Sequence, residues 1–356
     1  MVKLTNEQGF TYGAGLQTLA AAISSDVDDA RIRGNSLTLR SAFSYDAAAN
    51  MQSGGKHAFI DATKFKFMSM MEAASLRLEH QLLYGGSGLG IVASADDGAD
   101  SITFTDASWA PGLWSGLEGA EIDVYDAAGA ILRVSTSITS IDHDTKTISL
   151  ASGADLSTVI GTDVVWFKGA KGNEMVGLRD IVSNTGNLYG INGADYSLWK
   201  GNTSAVGGNL TLRKIYDGIA KAVSKGLMDD VCNVVSPATF AVLANDQASL
   251  RRYDAKYSSS ESDNGFEAVK FHGQNGKIEI IAHPMMREGE AIAFPKKYAE
   301  RIGATDITFK TPGSEGGEMF RQLDTQTGYE CRLYSEQAVF LPCPAKGILF
   351  TGITNA

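Results

Sequence analysis

Cysteine is scarce in this chain, three in 356 residues, and Cys232, Cys331 and Cys343 lack the close paired spacing of a zinc site. An odd, scattered set is poor material for a disulfide framework, so reduced, buried thiols in a reducing compartment are expected. Proline is also rare, 7 against 39 glycines, which favours turns and β connections over stiff linkers. No basic run exceeds two residues and the formal charge is −10, which argues against a protein that holds nucleic acid through a dense basic surface. There is no uncharged apolar stretch of about 18 residues, and the first ten residues have no signal-peptide core, so neither a membrane span nor secretion is expected. What is there is ordinary globular material, 44% apolar and 20% charged, enough for two or three domains with sizeable cores.

Along the chain, residues 2–12 and 36–45 are extended candidates, separated by a segment rich in Ala, Ser and Asp. Leu37 and Leu39 alternate with Ser36, Thr38 and Arg40, the pattern of a strand with one apolar face. Together the two segments read as a protruding hairpin with too little core to stand alone, one whose removal leaves a foldable remainder. Residues 64–84 give the clearest helix: Phe67, Met71, Ala74, Leu78 and Leu82 recur at spacings of three and four, and Asp61 and Thr63 are candidate caps. The run Gly85-Gly86-Ser87-Gly88-Leu89-Gly90 ends it. Short strand candidates at 101–105, 121–125, 131–135, 146–150 and 163–167 follow, spaced as in a small barrel or sandwich. Residues 210–227 and 237–252 read as helices around an apolar strand at 231–235, with further strands at 277–282 and 291–294. The polar stretch 257–265 reads as an exposed loop, and alternation at 329–334 and 338–341 closes the chain with β structure. The expected fold class is α+β.

Chemical motifs yield little. The glycine run has the wrong spacing for a dinucleotide fingerprint and follows a helix instead of joining a strand to one; a hinge or helix cap explains it. It also misses the nucleophile elbow, because Leu89 stands where glycine is required. Gly276-Lys277 resembles the end of a phosphate-binding loop, but Phe271 and Ile278 occupy two essential positions. His57, His80, His143, His272 and His283 are scattered, with no pair at helical metal-binding spacing, and the acidic clusters at 26–29 and 96–97 lack the ligand order of a calcium loop. The four tryptophans read as core and interface packing. No catalytic, cofactor or metal residue is expected.

The element order, and the wording of several stretches, carry a resemblance. These are Arg40-Ser41-Ala42-Phe43-Ser44-Tyr45-Asp46-Ala47-Ala48-Ala49, the helix exit from Gln81 to Gly90, Tyr253-Asp254-Ala255-Lys256-Tyr257, Gly273-Gln274-Asn275-Gly276-Lys277-Ile278-Glu279-Ile280, and the run from Thr327 to Phe340. Taken together they resemble the major capsid proteins of tailed double-stranded DNA phages, whose fold is shared with the herpesvirus capsid floor and with encapsulins. The resemblance implies an E-loop at 1–44 with a short or absent N-terminal arm, and a first part of the P-domain with its spine helix at 45–90. It further implies an inserted β domain at 91–168, an A-domain with a connecting P-domain segment at 169–300, and a closing P-domain β region at 301–356. An E-loop that begins almost at Met1 departs from relatives that carry an arm first. A Lys–Asn cross-link of the kind some members form has a conceivable lysine in Lys56 but no matching Asn and Glu motif.

The function so implied is structural: pentamers and hexamers closing into an icosahedral shell around packaged double-stranded DNA, which the shell contacts without sequence preference. Scaffolding, portal and possible decoration proteins are the expected partners, assembly in the host cytoplasm the expected setting, and the virion capsid the final location. Inter-subunit contacts are expected from Arg31, Arg33 and Arg40, and from Arg251, Arg252, Lys256 and Tyr257 beside the polar loop; Arg251 and Arg252 have the alternative reading of ordinary surface charges. Two rival classes remain, an encapsulin-like shell for a cargo enzyme, which needs a cargo-peptide groove, and a soluble α/β enzyme with a β lid, which needs a convergent polar pocket.

Overall fold

The longest element is a helix, Lys56–Tyr84, 29 residues or about 44 Å. It belongs to a computed structural model that describes residues 1–44, 56–250, 268–273, 276–310, 320–322 and 327–355. The helix starts eight residues before the expected 64, so Asp61 and Thr63 lie within it and do not cap it. The reason is visible in the sequence: no glycine or proline stands between Lys56 and Thr63, whereas Gly54-Gly55 precedes them.

Beneath this helix lies a four-stranded antiparallel sheet built on Gly328–Phe340. Glu300–Thr308 and Phe320–Gln322 pair with one side of that strand, and Asn35–Ser44 pairs with the other along ten residues, from Gly328 opposite Ser44 to Gln337 opposite Asn35. Met70 and Ala74 of the helix pack on Cys331 and Leu333, with Leu39 and an edge-to-face pair, Phe67 and Phe309, at 4.8 Å. The expected hairpin of 2–12 against 36–45 is therefore corrected. Leu39 gains a core under the helix that a free ribbon cannot supply, and this draws the second strand into the sheet. The first segment reduces to Val2–Lys3, which pairs with Val27–Asp28.

Residues 90–167 close into a six-stranded antiparallel barrel. The strands, in barrel order, are Gly90–Asp96, Ser101–Phe104, Thr147–Leu150, Leu132–Asp142, Glu121–Tyr125 and Val164–Phe167; pairing of Gly90 with Val165 seals it. Period-two alternation points Val92, Ile102, Ile122, Val124, Ile148 and Val165 inward, all fully buried, and stacked Trp109 and Trp114 (5.3 Å, 11° between planes) fill the core beside Phe104. The glycine run is the turn from helix to barrel. Gly86 and Gly88 have φ of +81° and +71°, and a Cβ on Gly88 would stand 2.5 Å from Val164 Cγ1.

The remaining chain forms a six-stranded mixed sheet. Its order is Thr203–Gly208, Ile348–Ile353, Glu290–Phe294, Val231–Val235, Lys277–Ala282 and Ala268–His272, parallel at the first and fourth pairings. Ile348–Ile353, which the sequence reading grouped with the closing region at 301–356, lies inside this sheet; its apolar side chains complete cores on both faces. Leu212–Val223, capped by Thr211, covers one face so closely that a Cβ on Gly218 would meet the Phe350 ring at 2.3 Å. The other face packs on Trp199, Ile181, Leu178 and Tyr84, together with Val2 and Leu4 from the amino-terminal segment.

Candidate assembly surfaces

The first 30 residues leave the body and return to it. At the base, Val2 and Leu4 are buried in the core that contains Tyr84 and Trp199. The Leu4 N–H donates to the Asp26 carbonyl (2.9 Å), and the Asp26 N–H donates to Thr5 Oγ1 (2.7 Å). The Tyr196 hydroxyl binds the Asp26 carboxylate (2.9 Å), which pins the return limb to the body. Further out the Gln8 N–H reaches the Ile23 carbonyl (3.0 Å), and no regular ladder follows. Phe10, Tyr12, Leu16, Leu19 and Ile23 project from this ribbon with relative exposures from 57% (Ile23) to 107% (Leu16). Five large apolar side chains held out on an anchored ribbon make an exposed apolar surface of the kind that marks interaction sites.

Two further features adjoin the four-stranded sheet. Among the described residues Asn35–Ser44 has a partner on one side only, so its other edge presents free backbone donors and acceptors. Phe65 and Met68 of the long helix are mostly exposed, with Met71 and Leu76 partly so, which leaves an apolar stripe on the side away from the sheet.

Of the arginines singled out by sequence, Arg31 and Arg33 are exposed on the chain between ribbon and sheet, and neither has an ion-pair partner among the described residues; the Arg31 N–H donates to the Tyr189 carbonyl (2.9 Å). Arg40 is engaged at home. It sits directly across from Arg332, and both guanidinium groups bind the buried Glu330 carboxylate. Desolvation opposes ionisation of Glu330, but the bonds from Arg40 and Arg332 prevail and hold its carboxyl below the ordinary value. Arg251, Arg252, Lys256, Tyr257 and the 257–265 loop lie outside the described residues. The sequence reading missed Phe10, Tyr12, Leu16, Leu19 and Ile23. Their signal was there, apolar residues in a Gly/Ala/Ser-rich segment that no core-facing period organises.

Several titratable groups of the interior tie its parts together. Where helix, barrel and mixed sheet meet, buried Arg287 donates to the carbonyls of Ser87 (3.1 Å) and Gly88 (2.7 Å), and its N–H takes the Tyr84 hydroxyl oxygen (3.1 Å). Arg179 forks onto Glu290 (2.8–3.0 Å) and also reaches Asp180, which binds Ser87 Oγ (2.9 Å). His80 is buried beside them, stacked on Tyr84, and burial followed by the charges of Arg287 and Arg77 lowers its pKa to about 3. Among the described residues no group of three His, Cys, Asp or Glu is placed to hold a metal, and no helix is long and apolar enough to cross a membrane.

No family model matches the sequence, and no curated protein does. Among solved structures, the chain is similar to the capsid asymmetric unit of cyanophage A-1(L), covering 99% of this chain and 86% of that one at 10% identity with a TM-score of 0.54. The capsid of an empty GTA particle covers 99% and 84% at 8% identity and 0.47, and the satellite phage P4 procapsid 99% and 84% at 9% and 0.37. The first likeness shows that the chain has the α+β fold of that phage capsid over nearly its whole length.

Proposed function

We propose that this chain is a shell-building subunit, a major capsid protein that forms pentamers and hexamers and encloses phage double-stranded DNA. The observation that carries the reading is the anchored ribbon. Its base is built into the core of its own subunit, while Phe10, Tyr12, Leu16, Leu19 and Ile23 stand exposed, outside every core formed by the described residues. The capsid fold supplies the context for that exposure. In this reading the ribbon is the E-loop, the Lys56–Tyr84 helix with its four-stranded sheet is the P-domain, the barrel is the inserted domain, and the mixed sheet is the A-domain, which takes in Ile348–Ile353. Arg31 and Arg33, which have no ion-pair partner among the described residues, contact a neighbouring subunit, whereas Arg40 is committed to Glu330. Arg251, Arg252, Lys256 and Tyr257 keep their proposed place near an axis. Scaffolding, portal and decoration proteins are further partners, and the virion capsid is the final location.

Negative-stain electron microscopy of the purified, overexpressed protein tests this. Uniform closed shells or capsomer rings are expected, and their contents separate a DNA container from an encapsulin-like cargo compartment. A protein that stays monomeric at every concentration, with and without neighbouring phage genes, overturns the reading.

A further inference from the structure

Although the chain carries a net charge of −10, one end of the mixed sheet gathers cations. Lys221 Nζ donates to the Thr203 carbonyl (2.9 Å), and Lys225 Nζ to the carbonyls of Lys200 (2.8 Å) and Gly201 (3.2 Å), so three lysines converge where the Thr203–Gly208 strand begins. None of the three has a carboxylate within ion-pair distance among the described residues. Next to them, Asn202 Nδ2 binds the carbonyls of Ala345 and Gly347 and so fixes the turn bearing Lys346. Lys346 and Lys297 share one carboxylate, Asp229, at 3.8 and 3.4 Å. Asp230 accepts the Lys277 N–H (2.8 Å), and Glu279 pairs with Lys296 (2.7 Å) beside Lys297. Six ammonium groups, those of Lys200, Lys221, Lys225, Lys296, Lys297 and Lys346, thus stand near three carboxylates, those of Asp229, Asp230 and Glu279, an excess in a protein of net charge −10. Crowding is evident at Lys225, whose ammonium is pulled below its ordinary value by burial and then by the Lys200 charge.

We infer that Lys200, Lys221 and Lys225, extended by Lys297 and Lys346, form a docking site for the phosphate backbone of duplex DNA and mark the inward face of the shell. The inward orientation rests on the shell reading; the duplex binding does not. Ammonium groups meet phosphates as point charges, and the absence of arginine from this set fits backbone contact without base readout. A single-strand site needs free aromatic faces for stacking, yet the Tyr298 ring is already covered by Lys346 (4.4 Å) and Lys297 (5.3 Å), and the Tyr196 hydroxyl is held by Asp26 (2.9 Å). The net charge of −10 opposes tight binding to a polyanion overall, so DNA can be held loosely and released.

The test is binding of a labelled 30-base-pair duplex to the full-length protein between 50 and 200 mM salt. Three unpaired lysines engaged on phosphate predict that affinity falls about 40-fold across that range, and Lys200→Gln/Lys221→Gln should reduce the fall to about 4-fold. A control with the same charge change, Lys168→Gln/Arg213→Gln, removes two exposed ion-pair partners elsewhere and should keep the full salt dependence. No duplex binding by the unaltered protein, or equal losses in the control, overturns the inference. Normal shells with duplex binding indifferent to Lys200 and Lys221 remove the docking site and leave the shell reading intact. Lysine-dependent binding without shells leaves the docking site and removes its inward orientation.

Discussion

Splitting the amino-terminal ribbon into base and tip gives the sharpest test of its role. Leu4 is 2% exposed in the core with Tyr84 and Trp199, so Leu4→Ala cuts a buried isobutyl group back to a methyl. Such truncations cost about 2–5 kcal/mol; a site near the start of the chain, able to relax, belongs toward the lower half, about 3 kcal/mol, which raises the unfolded fraction roughly 150-fold. Leu16 and Leu19, at 107% and 84%, touch almost nothing in their own subunit. Leu16→Ser/Leu19→Ser should therefore leave subunit stability within about 0.5 kcal/mol. If a neighbour buries both side chains, the same pair forfeits about 4 kcal/mol per ribbon, raising the concentration needed for assembly roughly a thousandfold. Equilibrium urea unfolding followed by tryptophan fluorescence reads the first quantity, and light scattering against protein concentration reads the second. The reasoning is refuted if the tip variant loses as much subunit stability as Leu4→Ala, or if it assembles at the unaltered concentration.

Deleting residues 6–24 should give a folded subunit that forms no closed shells, whereas deleting 2–45 should fail to fold, because it removes the Asn35–Ser44 strand and the Val2 and Leu4 anchors; circular dichroism with microscopy separates the two. Gly88→Ala places a side chain at φ +71° and 2.5 Å from Val164, and should destabilise by about 1–3 kcal/mol in a thermal melt with no change in the assembled geometry of what folds. Gly218→Val should cost a similar amount by driving the Leu212–Val223 helix off Phe350, and a loss below about 0.5 kcal/mol contradicts the close packing. For His80, a pKa of about 3 against an ordinary 6.5 means that the unfolded chain binds the extra proton between those values. Its contribution is fully present above pH 6.5 and declines as pH falls, by about 1.4 kcal/mol per unit toward pH 3. His80→Phe, which keeps the stack on Tyr84, should flatten the acid limb of urea stability between pH 6 and 4; an unchanged slope rules His80 out as its source.

Much of the local structure was legible. Five barrel strands stood close to their expected places because each alternates with period two between turn residues, and the glycine run read as a hinge is the turn out of the long helix. The start of that helix was misplaced because Asp61 and Thr63 are capping residues by type, and type alone does not make a cap where the chain on both sides can stay helical. The partner of the 36–45 strand was illegible for a different reason. Its pattern fixes which face is apolar, but any strand with the complementary face could accept it, and the one that does is almost 300 residues away. Arg40 illustrates the same limit: an arginine on a strand reads as a free contact until Glu330 and Arg332 are brought beside it.

By itself, then, the sequence determined the periodic elements, the turn chemistry between them, the poverty of catalytic motifs and the acidic balance, all of which are properties of neighbouring residues. Tertiary structure alone decided which apolar residues are core and which are left outside. Leu4 and Leu16 are the same residue twelve positions apart, and only the packing of Tyr84 and Trp199 around one of them makes it an anchor and leaves the other exposed. Charge follows the same logic, since the lysines at 200, 221, 225, 297 and 346 become a cluster only when the strands and turns that carry them meet at one end of a sheet. Burial and field are sums over all neighbours in space, and a linear chain does not contain that sum until it folds.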